Sequence, residues 1–131
     1  MIRGPAAWSY RAVTGIAVLR TALGATAILR PTLALRPWVG RPGTGPAAVV
    51  LSRAAGARDI ALGAGALLAG FRGDDRAVRT WARAGAFCDL ADAFITLGAW
   101  RDLPSRGRVA VMGAALGAAV LTAVATAAPT R

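Results

Sequence analysis

The chain contains no histidine, and its 131 residues include no lysine, glutamate, asparagine or glutamine. All 16 basic residues are arginine and all six acidic residues are aspartate. Without histidine, the common zinc and haem sites lose their ligand and the commonest general base is missing. A single cysteine, Cys88, excludes an internal disulfide and any cysteine-based metal cluster. Aromatic residues make up only 6% of the chain. Its apolarity therefore comes from Ala, Val, Leu and Ile, interspersed with 16 glycines.

Hydrophobic residues reach 56% and mean hydropathy is +0.51, above the apolar share of about 45–50% usual in soluble domains. Small residues set among aliphatic ones are typical of closely packed membrane helices. The formal charge is +10, which in a soluble domain would suggest nucleic-acid binding. Here the arginines lie scattered within and between apolar segments and form no basic stripe. The expected partner is the lipid bilayer, with loop arginines facing anionic headgroups and no nucleic acid.

Four apolar stretches fit a bilayer crossing of roughly 20 helical residues: about 12–29, 46–71, 77–100 and 109–128. The expected fold is all-α, a single domain of four antiparallel transmembrane helices in a bacterial cytoplasmic membrane. Residues 31–46 carry Pro31, Pro37, Pro42 and Pro46 with Gly40, Gly43 and Gly45, and read as a loop at the interface. Trp8, Trp38, Trp81 and Trp100 fall near the ends of these stretches, where amphipathic rings settle. Arg20 interrupts the first stretch and argues against a cleaved signal peptide. Four crossings place both termini on one side. The arginines, Arg3 and Arg131 included, then divide evenly between the two faces, and the positive-inside rule selects no orientation.

Charge within the spans is the informative feature. Arg20 lies in the first, Arg53, Arg58 and Asp59 in the second, and Arg83, Asp89 and Asp92 in the third. Arg53 and Arg83 sit about two turns from helix ends, within snorkelling reach of the interface. At a rise of about 1.5 Å per residue, Arg20 lies roughly 13 Å deep, Arg58 and Asp59 about 18–20 Å, and Asp89 about 18 Å. Asp92 is about one turn deeper. An intramembrane charge costs about 2.5–3.5 kcal/mol at a helix centre, so these groups are expected to meet. Gly85, Asp89, Asp92 and Thr96 share one helix face, as do Ser52, Gly56, Asp59 and Gly63. Gly113 and Gly117 form a GxxxG pair in the fourth span, a packing pattern.

Two roles for this polar centre remain open on sequence. One is a network of arginine–aspartate pairs that holds the helices in register. The other is a pocket for a lipophilic small molecule. In it Asp89, Asp92 or Asp59 would exchange protons, while Arg20, Arg58, Arg53, Trp81 and Thr96 would bind substrate or balance charge. Asp89 and Asp92 form a DxxD pair to which Asp59 could add an oxygen ligand. With arginines competing for the same carboxylates, no metal and no cofactor is expected. Cys88 reads as an inert core thiol.

The segments Ala57-Arg58-Asp59-Ile60-Ala61-Leu62-Gly63, Ala84-Gly85-Ala86 with Asp89 and Asp92-Ala93, Gly15 to Arg20, and Arg30-Pro31 carry a resemblance across nearly the whole chain. The chain resembles a group of small actinobacterial four-helix membrane proteins classed as a domain of unknown function. In layout it is distantly similar to DoxX-like membrane proteins. The resemblance implies a four-helix membrane bundle and assigns no activity. The expected function is a small integral membrane protein whose Arg/Asp centre binds or supports a lipophilic small molecule. The alternatives are a membrane-embedded cyclase or isomerase that uses an intramembrane aspartate as general acid, and a non-catalytic accessory subunit or small transporter. The cyclase alternative rests on a chemical analogy with enzymes that protonate lipophilic substrates.

Overall fold

Proline positions set the boundaries of the first helices. In the computed structural model, which describes residues 5–41 and 45–127 and side chains from Ser9 onward, α1 runs Pro5–Leu29 and α2 Pro31–Val39. Pro31 has no N–H with which to continue the helix, and the preceding residue avoids the helical region. Arg30 is accordingly non-helical, at φ −134° and ψ 60°. The helices α3 (Pro46–Phe71), α4 (Asp75–Gly98) and α5 (Ser105–Ala127) complete the fold. No strand occurs among the described residues. Arg3, Pro42, Gly43, Ala128, Arg131 and the Trp8 side chain, all used in the sequence reading, lie outside what is described.

The stretch expected to be a loop is therefore partly helical. Pro31 occupies the first helical position, where a missing N–H costs nothing and its fixed φ suits the helix. Pro37 comes late enough that it forfeits only the bond to the Leu33 carbonyl. Burial of Pro31 and Leu35 against the bundle holds the short helix, which Gly40 ends with a left-handed φ of 72°. The last helix also starts a turn earlier than expected, at Ser105 just after Pro104.

The four long helices pack in a ring ordered α1, α3, α4, α5, with α1 and α4 on one diagonal and α2 against one end. The closest seam is antiparallel, between α1 and α3. Gly24 faces Gly56, Ala17 and Thr21 face Gly63, and Tyr10 lies beside Gly70. A Cβ added at Gly24 would sit 2.6 Å from the Gly56 carbonyl oxygen, and one at Gly56 would sit 2.6 Å from that of Gly24. The obstacles are backbone atoms and cannot step aside. At the α3–α4 turn, Gly73 takes a φ of +68°. Asp74 then caps α4, its carboxylate accepting the Ala77 N–H at 2.8 Å.

The interior is built mostly from small and polar residues, with Val13, Leu35 and Val78 also buried, and most large apolar side chains lie outside. Buried positions include Ala17, Ala66, Ala69, Ala93, Ala115, Ala119, Ser52, Thr96 and Thr122. Leu19, Leu51, Phe71, Phe87, Phe94, Ile95, Val109 and Val120 are all more than half exposed. Water would oppose this arrangement and hydrocarbon would favour it. Three helices, α1 from Ser9 onward, α3 and α5, are long and apolar enough to cross a membrane.

The GxxxG pair of α5 does not take part in this packing. Gly113 and Gly117 are exposed, and an added Cβ at either would meet nothing within 4 Å. Opposite outcomes are expected for two kinds of glycine substitution. Gly56→Val should destabilise the fold by about 1–3 kcal/mol through overpacking, whereas Gly117→Ala should be neutral or slightly stabilising. Unfolding of the purified chain in mixed micelles, followed by helicity, measures both.

Candidate functional site

Three helices bring the charges within the apolar stretches to one place. Arg20 stands on the inner face of α1 and reaches across the ring towards α4. Its Nη1 donates to Asp59 Oδ1 on α3 at 3.0 Å, and its Nη2 to Asp89 Oδ2 on α4 at 2.5 Å. A longer bond of 3.4 Å runs from Nη2 to the Gly85 carbonyl. An added Cβ at Gly85 would lie 3.2–3.3 Å from the guanidinium, so the missing side chain makes room for Arg20. Gly85 thus contributes both space for the guanidinium and an acceptor, where the sequence placed it only on the face of Asp89 and Asp92.

Arg58 extends the network. Its Nη1 and Nη2 donate to the two Asp92 carboxylate oxygens at 3.2 and 2.8 Å, a bidentate pairing. Its Nε and Nη2 also reach Asp59 Oδ1, at 3.4 and 3.3 Å. Asp59 therefore accepts from both arginines through one oxygen. The five groups alternate in a line: Asp89, Arg20, Asp59, Arg58, Asp92. Along that line the most buried end is Arg20 with Asp89, whose side chains are 10% and 12% exposed. Arg58 and Asp92 form the more exposed end, at 34% and 27%. Three carboxyl groups face two guanidiniums, so the line holds one more acid than base.

Other residues expected at the site lie apart from this line. Thr96 is fully buried, but its hydroxyl donates to the Asp92 carbonyl at 2.7 Å in its own helix. Arg53 is exposed and donates from Nε to the Ile28 carbonyl at 3.3 Å. Trp81 packs its ring over Gly65 and stays partly exposed. Together with Arg20, Gly63, Gly85 and Thr122 it borders a crevice of only about 10 Å³, roughly the space one water needs. Cys88 is partly buried as a free thiol. Among the described residues, no group of three acidic or cysteine side chains is placed to hold a metal ion.

This arrangement fixes the mutual register of α1, α3 and α4. It orients donors and acceptors towards one another, and the crevice beside Arg20 has no room for a lipophilic molecule. No protein-family model, curated protein or solved structure matches the chain.

Burial ranks the consequences of breaking the line. Arg20→Ala strands Asp89 and leaves Asp59 to Arg58 alone, and should cost about 3–5 kcal/mol, the range for breaking a buried pair. Arg58→Ala acts at the more exposed end and leaves only Asp92 without a partner, so it should cost less. Chemical unfolding of the two variants in the same micelle should separate them in that order.

Proposed function

We propose that the chain is a multi-pass protein of the bacterial cytoplasmic membrane in which all four long helices cross the bilayer. In this reading its Arg/Asp centre supports a lipophilic small molecule by fixing the helices beside which that molecule lies. The centre does not react with it. The observation that carries the reading is the mutual saturation of the line: both guanidiniums and all three carboxylates already face an opposite charge within the protein. An acid engaged in this way serves packing better than proton delivery.

The neighbours of α4 support its crossing. It lies in the ring between α3 and α5, both long and apolar enough to cross. Its 24 residues span about 36 Å at about 1.5 Å each. Asp89 and Asp92 turn to arginines of α1 and α3, while Phe87, Leu90, Phe94, Ile95 and Leu97 face outward. An average over the helix hides this division because charged and apolar residues occupy different faces. The helical fold and the resemblance to small actinobacterial membrane proteins support the location.

One observation favours a second reading, acid catalysis by a membrane-embedded cyclase or isomerase. The line has one acid in excess, and an electrically neutral centre would carry one proton there. That reading needs a substrate chamber larger than the water-sized crevice beside Arg20.

Two experiments decide these points. Four crossings put both termini on the same side of the membrane, and three would put them on opposite sides. Protease protection of tags at each end, in sealed vesicles, distinguishes the two. Asp89→Asn and Asp92→Asn should lower the amount of folded protein, with Asp89→Asn the more severe. Lipophilic metabolites of the native host should change only in proportion to that loss. A product that vanishes while both variants remain folded would transfer the case to the enzyme reading.

A further inference from the structure

The line of charges leaves Arg83 aside. This residue is exposed on α4 and has no hydrogen-bond or ion-pair partner among the described residues. It borders an outward-facing groove of about 380 Å³ between α4 and α5, with Ala86, Phe87 and Leu90 on one wall and Thr122 and Thr126 on the other. That volume falls within the roughly 300–1,000 Å³ usual for small-molecule sites. It far exceeds the crevice beside Arg20, about 10 Å³.

The groove is chemically graded along its length. Arg83 lies nearer the start of α4 at Asp75, and Phe87 and Leu90 follow one and two turns further in. Thr126 comes near the end of the antiparallel α5 and Thr122 one turn before it. The cation therefore stands at the outer end and the apolar walls run inward. Arg79 precedes Arg83 by four residues on the same helix face, also without a partner among the described residues. Two like charges at this spacing repel one another unless an anion sits between them. A guanidinium also offers a phosphate two parallel donors.

We propose that this groove is a binding site for an anionic phospholipid, its headgroup phosphate on Arg83 and one acyl chain along Phe87 and Leu90. The inference deepens the reading given above by naming the lipophilic molecule and its seat, and rests on α4 crossing the bilayer. A lipid in the adjoining leaflet has the same polarity as the groove, phosphate outward and chain inward. Charge complementarity therefore selects an anionic lipid over a zwitterionic one.

The test is native mass spectrometry of the intact chain, released from micelles that contain phosphatidylglycerol or phosphatidylcholine. One phosphatidylglycerol should be retained per chain, about tenfold more readily than phosphatidylcholine, the ratio expected for one charge-assisted hydrogen bond. Arg83→Gln should abolish the preference, Arg83→Lys should keep part of it, and Arg101→Gln, in the α4–α5 turn, should leave it intact. Equal retention of the two lipids, or an unchanged preference in Arg83→Gln, overturns the site. A parallel measurement keeps the underlying reading separate. In a Cys88→Ala background, cysteines placed at Arg76 and Asp102 should react with an impermeant maleimide from opposite faces of sealed vesicles. Opposite labelling with no lipid preference rejects the groove and leaves the crossing standing; labelling from one face rejects both.

Discussion

A charge that cannot reach water must find its counter-charge within the protein, and Arg20 is where this chain meets that demand. Its guanidinium ties α1 to α3 through Asp59 and to α4 through Asp89, across the diagonal of the ring. The rest of the interior is arranged to permit this. Gly85 leaves room for the side chain, and the glycine-lined seam of α1 and α3 brings Asp59 within reach. Replacing a buried pair of this kind with well-packed apolar residues is often neutral or stabilising. Its value therefore lies in specifying one register among several that an Ala- and Gly-rich bundle would otherwise tolerate.

Small residues inside and large apolar ones outside follow from the same solvent. Hydrocarbon gives no advantage to burying leucine, so helix contacts depend on van der Waals packing and polar links. Closeness is then the useful quantity, and glycine, alanine, serine and threonine provide it. The Gly24–Gly56 contact and the Gly63–Ala17 contact are as tight as backbones allow. Gly107 achieves the same against the carbonyls of Pro37 and Trp38, which seats α2 on the start of α5.

Much of this was legible in the sequence because charge and apolar length are strong signals. The long helices were visible as apolar runs, and helical spacing put Asp89, Asp92 and Asp59 on faces also occupied by small residues. What sequence could not supply was the pairing. Depth alone makes Arg20 a candidate for either Asp59 or Asp89, and the structure joins it to both. The short α2 was hidden because proline normally signals a break, yet Pro31 falls at the one helical position that suits it. Gly113 and Gly117 misled for the opposite reason: a GxxxG spacing says that a close approach is possible, not that a neighbour is there. Thr96 shares the face of Asp92, but its hydroxyl is satisfied within its own turn. Arg83 looked like a residue that snorkels to the interface, because no sequence pattern reveals a groove formed with a second helix.

The separation of Arg20 from its partners along the chain has a consequence for biosynthesis. Asp59 follows it by 39 residues and Asp89 by 69. At about 5–20 residues per second, Arg20 leaves the ribosome roughly 2–8 s before its first counter-charge exists. During that interval α1 carries an uncompensated cation that hydrocarbon disfavours. On the proposed topology the helix would wait at the edge of the insertion machinery, or be sheltered there, until α3 arrives. On that topology the α1–α3 hairpin, more than either helix, would be the natural unit of entry into the membrane. The helix α5, whose arginines Arg106 and Arg108 lie in its first turn, has no charge in its apolar stretch and no such dependence.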